Sequence, residues 1–164
     1  MKILFVASNP RVVEQLDTAL LGMPEVEVDR VPGPKRALEL LDEGRAYDLV
    51  VADADTAPMG GMHLSREIHA RGQMGRDMPP VVLLVAREDD AWLSNWSQAE
   101  AYVRKPADPF DLAEVVQRVA AGEPPPALPG VGGAPSPSLL DLPEPAAELV
   151  AAEPDPGQDG DRGR

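Results

Sequence analysis

The chain contains no cysteine, which removes any disulfide framework and any thiolate metal site. It has no apolar run near the ~18 residues that a membrane span requires. Basic residues are scarce: 15 Lys and Arg stand against 28 Asp and Glu, a formal net charge of −13. That excess repels nucleic-acid phosphates and anionic lipid, and no local Lys/Arg cluster offsets it. Direct binding to nucleic acid or to a membrane surface is therefore not expected. The opening MKILFVASNP carries one basic residue and a short apolar run ending in Asn9-Pro10. It lacks the longer apolar region and small-residue cleavage site of a signal peptide, so a cytoplasmic location is expected. Aromatic residues make up only 4% of the chain, and none lies beyond Gly122.

What is present is apolar enough for a core, with 43% hydrophobic residues in a length suited to one domain. Composition shifts at Gly122. Residues 123–164 hold ten of the 19 prolines, eight acidic residues and two basic ones. Such a segment buries too little apolar surface to offset its ordering entropy. The expectation is a folded domain over 1–122 and a disordered Pro/Ala/acidic tail over 123–164. Within the tail, Leu139, Leu140, Leu142, Leu149 and Val150 interrupt the polar composition. They read either as a docking motif that folds on binding or as part of a plain solubilising tail.

Within 1–122 the patterns alternate. Lys2–Val6 reads as a buried strand, and Asn9-Pro10 as a capped helix start. Val12, Val13, Leu16, Leu20 and Leu21 follow at helical spacing. Val26, Val28 and Val31 suggest an edge-like second strand, and Ala37, Leu38, Leu40 and Leu41 a second helix. Leu49–Ala52 is a third strand, followed by a helix marked by Met62, Leu64 and Ile68. Pro80–Val85 is the most continuous strand and Ala101–Val103 the last. Asp108-Pro109 starts a final helix with Leu112, Val115, Val116 and Val119 on one face and Gly122 beyond its end. Five β-α repeats predict an α/β fold: a doubly wound, five-stranded parallel sheet with helices on both faces. Its working groups should lie at the carboxyl ends of the strands, at Ala7–Asn9, Asp53–Asp55, Val85–Arg87 and Lys105-Pro106.

Several of these stretches share a known pattern. Tyr47-Asp48-Leu49-Val50-Val51-Ala52-Asp53 with Gly61 eight residues on, Pro80 through Arg87, and Tyr102-Val103-Arg104-Lys105-Pro106 resemble the receiver domain of bacterial two-component response regulators. The opening strand and Asn9-Pro10 fit the same family, and the resemblance spans roughly residues 2–121. It implies the flavodoxin-like (βα)5 receiver fold. It also implies that Asp53 is the phosphoacceptor for a sensor histidine kinase and that Lys105 contacts the phosphoryl oxygens. Charge in phosphoryl transfer spreads over three equatorial oxygens, so the catalyst is mostly positioned positive charge and hydrogen-bond donors.

The chain departs from the pattern where chemistry is most demanding. Ala7 and Ser8 occupy the positions of the family's Mg²⁺-binding acid pair, and Val85 that of its Thr or Ser. Pro58 comes one residue late, and the stretch from Ala86 to Lys105 is about two residues short of the common pattern, implying a reshaped helix there. Mg²⁺ wants oxygen ligands, usually carboxylates. Only Asp53, with Asp55 as an added carboxylate, is on offer, so a weakly bound Mg²⁺ at Asp53 is the single cofactor expectation. Asp53 otherwise reads as an inherited carboxylate paired with Lys105, and Lys105 as a surface lysine before a helix-starting proline.

Tyr102 matches the family's switch aromatic, and Trp92 and Trp96, four residues apart, share a helix face. With Val85 they would form a switch and partner face; the alternative is that the tryptophans pack the core. His63 and His69 do not share a face and are expected to be solvated, without metal. No Gly-rich phosphate loop, nucleophile elbow or metal cluster is present, so an enzyme is not expected. Two functions remain. One is a single receiver domain of a phosphorelay, without a DNA-binding output domain, acting through protein partners that include a sensor kinase. The other is a phosphorylation-independent adaptor on the same fold.

Overall fold

The computed structural model describes residues 1–23, 25–87 and 96–133. Its elements run β1 (Lys2–Val6), α1 (Pro10–Leu20), β2 (Glu27–Val31), α2 (Pro34–Asp42), β3 (Leu49–Asp53), α3 (Gly61–Gln73), β4 (Val81–Val85), β5 (Ala101–Arg104), α4 (Pro109–Ala120) and β6 (Val131–Gly132). The sheet order is β2-β1-β3-β4-β5-β6. The first five strands are parallel, as the β-α alternation predicts; β6 joins antiparallel at the edge of β5.

Alternation within the central strands builds two cores. Ile3, Phe5, Val51, Val82 and Leu84 face one way and pack with Leu16 of α1 and Leu112, Val115 and Val116 of α4. Leu4, Val6, Val50, Leu83 and Val85 face the other way, under Leu40 and Leu41 of α2 and Leu64 and Ile68 of α3. Every residue of β3 and β4 is buried, which is why these strands read as continuous apolar runs. The helix starts follow their sequence signals. The Asn9 side chain accepts the Arg11 N–H at 3.0 Å, and Asp108 accepts those of Phe110 and Asp111 at 2.9 and 3.2 Å. Leu21 departs from its expected place on the buried face of α1. The helix ends at Leu20, and Leu21 is 85% exposed in the turn that follows.

The domain boundary expected at Gly122 also moves. The compact unit continues past it through residue 133, the last described there, and residues 123–133 fold back onto β5. Pro126 is buried and Val131 packs against the α1/α4 core. A Pro- and Gly-rich stretch with little apolar surface of its own is held here by the sheet edge it completes. The expected tail beyond residue 133, with its leucines, lies outside the described residues. Among those residues no helix is long and apolar enough to cross a membrane.

Candidate functional site

The strand order reverses between β1 and β3, so the crevice at their carboxyl ends is the natural place for a site. Asp53 closes β3 there and is 3% exposed. The chain then turns tightly: the Thr56 N–H donates to the Asp53 carbonyl at 3.2 Å, and the Gly60 N–H to the Thr56 carbonyl at 2.7 Å. Gly61 sits so close that a Cβ there would lie 2.7 Å from the Asp53 carbonyl oxygen. Only glycine lets α3 begin against the end of β3, which gives Gly61 its physical reason.

Lys105 follows β5, anchored by its N–H to the Val85 carbonyl at 2.8 Å. Its ammonium donates to Asp53 Oδ1 at 2.6 Å and to Asp55 Oδ2 at 2.8 Å. The Asp55 backbone N–H reaches the same Asp53 oxygen at 3.1 Å. Burial pushes the Lys105 amine down, but hydrogen bonds to both carboxylates and their charges outweigh it, and the net shift is upward. The ammonium thus stays charged across the neutral range. One cation is shared by an almost fully buried carboxylate and a mostly exposed one.

The other predicted positions surround this triad without joining it. Ala7 is buried in the α1/α4 core and offers no donor; Ser8 is exposed and offers a neutral hydroxyl. Val85 is fully buried in the opposite core, with no hydroxyl to contribute. Both carboxylates already face the Lys105 ammonium, and no three metal-ligating His, Asp or Glu side chains converge among the described residues. Asp53 and Asp55 are the carboxylates a Mg²⁺ would draw on here, and with Ala7 and Ser8 in place of acids they are a thin oxygen set for that cation. Trp92 lies outside the described residues. Trp96 is 49% exposed, its ring 3.9 Å from the Arg66 guanidinium of α3, a cation–π contact. Tyr102 is half-buried on β5 against Gly132.

Sequence reasoning missed three groups. Asp55 was legible only as a spare carboxylate, not as the second anchor of Lys105. Thr56 is 1% exposed and its hydroxyl has no hydrogen-bond partner, which spacing alone does not reveal. His69, expected to be solvated, is half-buried on α3 against Glu100, just before β5. Its Nδ1 lies 2.8 Å from the Ser65 carbonyl and its Nε2 2.9 Å from Glu100 Oε1. Both neighbours are acceptors, so the ring donates twice only as the cation. Glu100 raises the His69 pKa by hydrogen bonding, burial opposes, and the Ser65 carbonyl adds to the rise. Glu100 in turn accepts the Val81 N–H at 2.6 Å, tying β4 to the same cluster. Arg76 and Asp77 line a cavity together with His69 and Glu100.

A folded-state pKa above the unfolded one gives stability that is full below the unfolded value and fades as pH rises through the folded value. Unfolding titrations should therefore show a stability contribution that is present below the ordinary histidine value of 6.5 and is lost as pH rises above it. His69→Gln should flatten that dependence. An equally steep slope in the variant would assign it to another group.

Comparison with known proteins places these observations. Residues 3–117 match the response regulator receiver domain. The chain is 30% identical over 121 residues to an uncharacterized response regulatory protein of Mycobacterium tuberculosis, covering 71% of this chain and 88% of that one. The signal receiver domain of a signal transduction histidine kinase from Syntrophus aciditrophicus superposes with a TM-score of 0.63 at 25% identity, over 74% of this chain and 90% of that one. A CheY-like receiver domain protein from Methanospirillum hungatei shares the fold, with a TM-score of 0.61 at 21% identity over 74% and 94% of the two chains.

Proposed function

Because the chain belongs to the response regulator receiver family, we propose that it serves two-component signalling as a protein-contact module in which an internal ion triad has replaced metal-dependent phosphoryl acceptance. The observation that carries this reading is the single Lys105 ammonium bridging Asp53 and Asp55 at 2.6 and 2.8 Å. In an acceptor site that cation must serve the incoming phosphoryl oxygens; here two carboxylates already hold it. The absent acid pair and the buried Val85 support the same conclusion. On this reading the domain has no catalytic turnover, needs no cofactor, and acts in the cytoplasm on protein partners, a sensor kinase among them.

Incubation with acetyl phosphate and Mg²⁺, followed by intact mass measurement, should show no phosphoryl adduct. Asp53→Asn should leave capture of a cellular partner nearly unchanged. Trp96→Ala or Tyr102→Ala should weaken it several-fold, as loss of an aromatic interface residue does. The rival reading, acceptance at Asp53, draws on the close Lys105–Asp53 contact, an arrangement an acceptor site also uses. A stoichiometric adduct lost in Asp53→Asn, together with loss of partner capture, would establish it and overturn ours.

A further inference from the structure

The segment after α4 is fitted to β5 with more care than a linker needs. Leu128-Pro129-Gly130-Val131 has the sequence of a type II turn, with Pro first and Gly at φ +74° second. The Val131 N–H closes it on the Leu128 carbonyl at 3.1 Å. The turn then delivers two residues to the ladder, Val131 opposite Val103 and Gly132 opposite Tyr102. The Gly130 carbonyl accepts the Arg104 N–H at 2.8 Å, immediately before Lys105.

Gly132 is the tightest fit. A Cβ there would lie 2.5 Å from two carbons of the Tyr102 ring and 2.5 Å from its hydroxyl oxygen, so the phenol rests directly on the Gly132 backbone. Gly133 is similarly confined, with Pro125 at 3.0 Å and the Glu100 carbonyl at 3.2 Å from where its Cβ would stand. The pairing is nonetheless only two residues long, and a ladder that short contributes little by itself. Close fit combined with a short ladder describes an edge strand that seats in one register and can still be lifted off.

We propose that residues 124–133 form an intramolecular strap that occupies the β5 edge and clamps Tyr102, and that a partner gains this edge only by displacing the strap. The partner the edge fits has the strap's own chemistry: an extended peptide with no side chain opposite Tyr102 and a small β-branched residue opposite Val103. Backbone pairing would give it affinity, and the tyrosine ring would select the glycine. This deepens the protein-contact reading above and rests on it for its biological use. Its test does not involve Asp53 or a phosphodonor, so the two can fail separately.

Hydrogen exchange on the full chain is the direct measurement. In the unmodified protein the Arg104 amide should be protected. Gly132→Val, which drives a side chain into the Tyr102 ring, should speed its exchange about tenfold or more while β1, β3 and β4 keep their protection. A synthetic peptide of residues 124–133, added to Gly132→Val, should restore protection at Arg104; added to the unmodified chain, it should change nothing. Gly132→Ala combined with Tyr102→Ala removes the clash by the other partner and should keep the strap seated. Rapid Arg104 exchange in the unmodified chain, or failure of the peptide to protect the variant, would overturn the proposal.

Discussion

Lys105→Met will cost the fold about 3 kcal/mol, read as a fall in the denaturant midpoint at neutral pH, and a second substitution will recover most of it. The substitution removes the ammonium and leaves Asp53, 3% exposed, as a buried carboxylate that keeps the Asp55 N–H as a donor. Breaking a buried ion pair from one side typically costs about 3–5 kcal/mol because the stranded charge has lost both water and its counter-ion. The low end applies here, since the Asp55 amide still donates and the site opens to solvent at Asp55, whose side chain is 63% exposed. Adding Asp53→Asn removes the stranded charge, so the double variant should return to within about 1 kcal/mol of the unmodified protein, the non-additivity of groups in contact. Asp55→Asn alone should cost well under 1 kcal/mol, because an exposed carboxylate contributes little. A Lys105→Met variant as stable as the parent would mean that the ammonium is not the counter-ion of Asp53.

The parts of this molecule legible in its sequence are those where one local signal decides the outcome. The apolar runs Ile3–Val6, Leu49–Ala52 and Val81–Val85 are buried on both faces, and nothing except a central parallel strand accounts for them. Asn9-Pro10 and Asp108-Pro109 specify their helix starts through caps that depend on two or three residues. Asp53 and Lys105 were placeable because strand ends at a switch point converge whatever the loops do. Groups whose role depends on distant partners were not legible. His69 looks like any helical histidine until Glu100, 31 residues on, supplies the second acceptor. Thr56 looks like a loop threonine, yet the turn from Asp53 to Gly61 folds it inward. Residues 123–133 illustrate the limit of composition. Summed over the whole 123–164 segment, proline and charge point to disorder. The Pro129-Gly130 turn and the small residues that follow are a local signal for an edge strand, and averaging conceals it. The same averaging cannot register how closely the Gly132 backbone approaches the Tyr102 side chain.

Restoring the family's chemistry should show which missing groups matter. Ala7→Asp/Ser8→Asp/Val85→Thr is expected to take phosphoryl transfer from acetyl phosphate to Asp53 from undetectable to readily measured, a gain of about 10²-fold or more, since one donor aimed at the transferring group is typically worth that much. The three changes do different things. Asp at 7 and 8 supplies the oxygen ligands that a hard divalent cation requires. Thr at 85 supplies a hydroxyl at the end of β4, beside Lys105, whose N–H already bonds the Val85 carbonyl. The acids come at a cost without metal, because Ala7 is 8% exposed and its replacement puts a third carboxylate near Asp53 and Asp55. The variant should therefore melt below the parent in chelator and rise by several degrees as Mg²⁺ is added, because a ligand bound by the native state alone stabilises it by mass action. The unmodified chain should show no such rise, its cation position being served by Lys105. Comparable phosphorylation and comparable Mg²⁺ stabilisation in parent and variant would show that Ser8, Asp53 and Asp55 suffice. The Lys105 bridge would then have to open under working conditions, and the protein-contact reading would give way to a live phosphoacceptor.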